Sequence, residues 1–75
     1  MDPNACLLGY LRAWYAKNGA GARTAKRDLL EWLQRGGFQP DWELVFDQFL
    51  LGQPQFARRN LRAHCARVFG ATFGA

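Results

Sequence analysis

Apolar residues recur every three to four positions in four separate runs of this 75-residue chain, and Gly, Pro or Asn stands at each break. A helix turns about 100° per residue, so that spacing gathers the apolar side chains on one side of each run. No useful stretch alternates apolar and polar residues, as a half-buried strand requires. The expectation is an all-α fold, a small four-helix single domain spanning residues 1–75. Its helices are expected over about 5–17, 25–35, 41–51 and 55–69.

The first run places Leu7, Leu8, Leu11, Trp14 and Tyr15 on one face and stops at Asn18-Gly19. Gly9, Ala13 and Ala16 form a second, small-residue face that could admit a close partner helix and otherwise reads as plain surface. Gly19 to Arg23 reads as a loop, with Thr24 capping the second helix. Ala25, Leu29, Trp32 and Leu33 are its inward stripe, and Gly36-Gly37 ends it. Pro40 opens the third helix, where Trp42, Val45, Phe46, Phe49 and Leu50 face inward. The fourth begins near Pro54 and buries Ala57, Leu61, Cys65, Val68 and Phe69. Gly70 stops it, and residues 70–75 are expected to form a flexible tail.

A chain this short buries only about 60–65% of its unfolded surface, so its core must be rich. Three Trp, six Phe and two Tyr supply it, since each ring buries about 150–250 Å². Cys6 and Cys65 sit in apolar patterns and read as small buried hydrophobes. One His and two distant Cys lack zinc-ligand spacing, so no metal or cofactor is expected. The cysteine usage fits a reducing compartment, and a cytoplasmic location is expected. No apolar run approaches the roughly 18–20 residues that span a bilayer, and Asp2 stands where N-myristoylation needs Gly. No membrane partner is expected. The chain reads as either a whole small protein or an excised domain.

Charge is sorted into blocks. Residues 1–27 carry Arg12, Lys17, Arg23, Lys26 and Arg27 against Asp2, a net of +4. Residues 28–47 carry Asp28, Glu31, Asp41, Glu43 and Asp47 against Arg35, a net of −4. Residues 48–75 carry Arg58, Arg59, Arg62 and Arg67 and no acid, again +4. Such poles steer charged partners. They also make a homodimer through opposed blocks an expectation to weigh.

Arg58, Arg59 and Arg62 fall within little more than one turn of the fourth helix, with His64 and Arg67 beyond them. Guanidinium grips phosphate through parallel hydrogen bonds. The last two helices, joined through Gly52, Gln53, Pro54 and Gln55, resemble a helix-turn-helix reader in outline over about twenty residues. Gly52 matches the turn glycine and Leu61 a later apolar anchor. Arg58 stands where that motif has a buried aliphatic residue, Gln48 where it has a small one, and Pro54 is foreign to it. A similar motif across the second and third helices is set aside on sign. Asp41, Glu43 and Asp47 would repel phosphate there.

The first functional expectation is a small nucleic-acid-binding regulator, acting on DNA or RNA. Arg58, Arg59, Arg62, His64 and Arg67 would hold phosphates, and Arg23, Lys26 and Arg27 would extend the track. His64 is placed at the boundary of the helix, touching phosphate when protonated. The alternative is a protein-binding module or small inhibitor that occupies a larger protein. It would use basic helix four, or Leu44 and Leu51, which point away from the third helix's core stripe with Asp47 and Gln48 between them. If both leucines are exposed, this alternative gains. An enzyme is not expected: no acid follows Asp47 to orient His64, and no paired carboxylates or activated nucleophile stand out. Trp14, Trp32 and Trp42 read as core rather than as a base-stacking platform.

Overall fold

The computed structural model describes residues 1–73. Four helices form among them: α1 (Pro3–Tyr15), α2 (Gly19–Gln34), α3 (Trp42–Gly52) and α4 (Arg58–Phe69). The fold is all-α, as the periodicity implies.

The first helix starts where the Asp2 carboxylate accepts from the amides of Asn4 and Ala5, with Pro3 in the first turn. It ends in a Schellman turn. Lys17 N–H donates to the Trp14 carbonyl at 3.1 Å, and Asn18 N–H to the Ala13 carbonyl at 2.9 Å. Asn18 then caps the next helix at once, its Oδ1 accepting from Gly21 N–H at 3.1 Å. Residues 19–23 are therefore helix, not the expected loop, and Thr24 lies inside α2 rather than at its cap. Glycine suits this start for a steric reason. A Cβ at Gly21 would come within 2.6 Å of the Asn18 side chain.

The second helix closes in another Schellman turn, with Gly36 at φ 84° and Gly37 N–H donating to the Trp32 carbonyl at 2.9 Å. Asp41 rather than Pro40 marks the start of α3, its carboxylate accepting from Leu44 N–H at 3.2 Å. The fourth helix begins at Arg58, four residues later than Pro54 suggests. Phe56 explains the delay. Its ring turns in against Trp14, Tyr15 and Phe49, which holds the preceding residues in a turn.

The core joins Leu7, Tyr10 and Leu11 of α1 and Leu29 of α2 with Val45, Phe46 and Phe49 of α3 and Leu61, Cys65 and Phe69 of α4. The second helix contributes only Leu29 in full and lies along α1. Backbone approaches to α4 are few, so it is held by side chains. The expected tail is docked as far as it is described. Ala71 is buried, and Phe73 packs on Trp42 and Phe46. Residues 74 and 75 lie outside the described residues. No helix is long and apolar enough to cross a membrane among the described residues.

Candidate functional site

The expected ridge of three outward guanidiniums on α4 is absent, because two of them are held by α3. Glu43 and Asp47 are one turn apart on α3 and face the start of α4. Arg62 grips Glu43 with two parallel bonds, Nε to Oε2 at 3.0 Å and Nη2 to Oε1 at 2.8 Å. Arg58 donates to Glu43 Oε1 at 3.0 Å and to the Glu43 carbonyl at 3.3 Å. It also pairs with Asp47. The Arg62 bond, above all, holds the Glu43 carboxyl below its ordinary range. The Asp47 bond does most to raise the Arg58 guanidinium, and the Glu43 bond most to raise Arg62. Only Arg59 of the three is exposed and outside any ion pair among the described residues.

His64 is not a boundary residue. It is 9% exposed, beneath Trp14, with ring centroids 4.2 Å apart and planes at 24°. Its Nε2 lies 2.7 Å from Tyr10 Oη, and Arg67 Nη2 donates to its Nδ1 at 3.1 Å. Burial, and then the Arg67 charge, push its pKa below the ordinary histidine value. So His64 belongs to a buried cluster with Tyr10, and exposed Arg67 reaches back to its outer ring nitrogen. Sequence reasoning missed Tyr10, although it stands one turn after Leu7 and one turn before Trp14.

On α2, Arg23, Lys26 and Arg27 are all exposed and share one face at i, i+3 and i+4 spacing. Arg27 meets Asp28 at 3.5 Å, while Arg23 and Lys26 enter no ion pair among the described residues. Exposed cations outside any ion pair among the described residues therefore lie on both helices, Arg59 and Arg67 on α4 and Arg23 and Lys26 on α2. The acidic middle block shrinks, since Glu43 and Asp47 are matched within the chain. A dimer built on opposed blocks loses much of its acidic pole by the same pairing.

The outer face of α3 has no cover. Leu44 is 45% exposed and Leu51 86%, with Asp47 and Gln48 exposed between them. Helix α3 is thus covered on one side only. Gln48 also borders a groove of about 370 Å³, with Arg12, Tyr15, Phe49, Gly52 and Gln53. Tyr15 Oη accepts from Gln55 Nε2 at 3.1 Å on the rim. Phe38, 68% exposed, stands apart with its ring edge-on to Trp32.

The three tryptophans are engaged by protein rings. Trp14 meets His64 and Phe56, Trp32 meets Phe38, and Trp42 meets Phe69 and Phe73. Trp42 is buried, the other two half-buried. Both cysteines are free. Burial pushes the Cys65 thiol up to about 12, while half-buried Cys6 donates to the Ala25 carbonyl at 3.4 Å. Compared with family models, curated proteins and solved structures, the chain matches none of them.

Proposed function

We propose that the protein is a binding module that occupies an apolar cleft on a larger protein through the outer face of α3. The observation that carries this reading is the joint exposure of Leu44 and Leu51, seven residues apart on one face. Full burial of an exposed leucine is worth about 1.5–3 kcal/mol, so Leu51 gains most of that and half-exposed Leu44 about half, which makes Leu51 the main anchor. The charges beside them are already spent within the chain, because Arg58 and Arg62 match Glu43 and Asp47. A partner therefore need not supply cations against this face. The molecule as a whole keeps a net +4, so the fitting cleft is apolar at its centre and acidic at its rim.

The test is quantitative affinity capture from native lysate, with and without nuclease. Wild type is expected to retain one stoichiometric protein that survives nuclease treatment. Leu44→Asp and Leu51→Asp should each lose it, and Lys26→Glu should keep it. Equal capture by all four proteins, or loss of the captured protein on nuclease treatment, overturns the reading.

A second reading keeps nucleic acid as the partner but moves the contact to α2. It rests on the unpaired Arg23 and Lys26 beside Arg27. With about three phosphates neutralised, log affinity should fall against log salt with a slope near −3. Titration of labelled duplex and single strands at several salt concentrations tests it. No binding at low salt, or unchanged affinity in Arg23→Glu with Lys26→Glu, removes it.

A further inference from the structure

The chain has one histidine, and it lies between two helices whose backbones barely approach. Both ring nitrogens of His64 are occupied. A guanidinium has hydrogens to donate and no lone pair to offer. The bond from Arg67 Nη2 therefore makes Nδ1 an acceptor. The neutral ring must then carry its proton on Nε2, which donates to Tyr10 Oη.

The groups that face the ring define what a second proton would meet. From α1 come Tyr10 and Trp14. From α4 itself come Arg67, one turn on, and the neighbouring Cys65. Burial raises the Tyr10 hydroxyl and the Cys65 thiol alike, so both are neutral near pH 7. Arg67 is the charged group bonded to the ring, and no carboxylate contacts it among the described residues. A proton arriving at Nδ1 would face the Arg67 N–H directly. One hydrogen bond would become two opposed donors, and a new positive charge would form on a buried ring against the exposed Arg67 guanidinium.

We propose that His64 is an acid-sensitive latch between α1 and α4. Protonation at Nδ1 breaks the Arg67 bond and drives the imidazolium out from beneath Trp14. The Tyr10 bond and the Trp14 stack are lost together. The aromatic contacts that remain are the edge contact of Tyr10 with Phe69 and the Trp14 contact with Phe56 in the turn before α4, beside the shared aliphatic core. Departure of the ring also bares Trp14, which already borders a small groove with Ala13, Lys17, Gly19 and Ala22.

The direction of the pH effect follows from the neutral resting state. A histidine held below its unfolded value binds its proton in the unfolded chain first. Its contribution is complete above about pH 6.5, the unfolded value, and is lost as pH falls from there through the folded value. Each unit between the two values is a tenfold loss in the folding equilibrium constant.

The full chain suffices for the test. The single histidine gives one pair of ring C–H resonances by NMR, and they should titrate below pH 6.5 in the folded protein. The urea midpoint of wild type should fall between pH 7.5 and 5.5, and that of His64→Gln should fall much less. In Arg67→Met the ring should titrate closer to its ordinary value. Amide exchange, corrected for its intrinsic pH dependence, should accelerate more in α4 than in α2. A ring that titrates at or above 6.5, a flat wild-type midpoint, or equal acceleration in all helices overturns the latch. Should His64→Gln fail to fold, the wild-type titration and exchange decide the matter alone.

Discussion

Lys17 holds a backbone conformation, φ 58°, that glycine adopts without steric penalty. It is the turn residue of the α1 Schellman motif, and its side chain is exposed. The left-handed region costs an ordinary residue about 1–2 kcal/mol, and glycine returns part of that as extra freedom in the unfolded chain. Lys17→Gly is therefore expected to stabilise the protein by about 0.5–1 kcal/mol in urea unfolding. Gly37 presents the opposite case. A Cβ there would sit 2.3 Å from the Trp32 indole, whose Nε1 donates to the Phe38 carbonyl at 2.9 Å. Gly37→Ala must push that ring aside, at about 1–3 kcal/mol by the usual scale of overpacking. A loss of the Trp32 near-ultraviolet signal should accompany the lower midpoint.

At the scale of the element, α2 depends on its first residue outside the helix. Asn18 caps an amino end made of Gly-Ala-Gly-Ala, which has little propensity to spare. Asn18→Ala should cost about 1 kcal/mol and fray residues 19–23 first, read by amide exchange. The α3–α4 pair depends instead on charge. Glu43 joins both Arg58 and Arg62 and is about half open to solvent, so salt should weaken the link. Its carboxyl is held below the unfolded value, which makes its contribution complete above that value. The contribution is lost as pH falls through the lower, folded value. Glu43→Gln should flatten this acid limb below about pH 4.5 while leaving the histidine window above it intact. Urea midpoints across both windows check the separation.

For the whole molecule, internal pairing redraws the charge map. The sequence has a basic, an acidic and a basic block. In the fold, Glu43 and Asp47 of α3 cancel Arg58 and Arg62 of α4 locally, while Arg59, Arg67, Arg23 and Lys26 enter no ion pair among the described residues. The uncovered leucines of α3 lie beside the cancelled region. Because its side chain faces water, Leu51→Asp should change stability by no more than about 0.5 kcal/mol, while Leu44→Asp, at a half-exposed site among Asp41, Glu43 and Asp47, should lose more. A loss of partner capture with the thermal midpoint held would then report the surface and not the fold.

Helix number, the glycine stops of α2 and α4 and most of the core were legible in the chain, because periodicity and turn chemistry act within a few residues, whereas Gly52 lies inside α3 and Gly19 begins α2. Leu29, Phe46 and Leu61 each lie where their own helix's stripe puts them. The start of α2 was less legible, since Asn18 ends one helix and begins the next, and local propensity alone favours a loop. The burial of Cys65 was legible from its stripe, but the pairing of the charged groups and the burial of His64 were not. Arg62 meets Glu43 across 19 residues and His64 meets Tyr10 across 54, and such distances close only when helices are laid side by side. Sequence by itself determined which residues turn inward along each helix. Tertiary structure alone decided which charges stay free and that His64 is buried, because Coulomb and hydrogen-bond partners are chosen by distance in space.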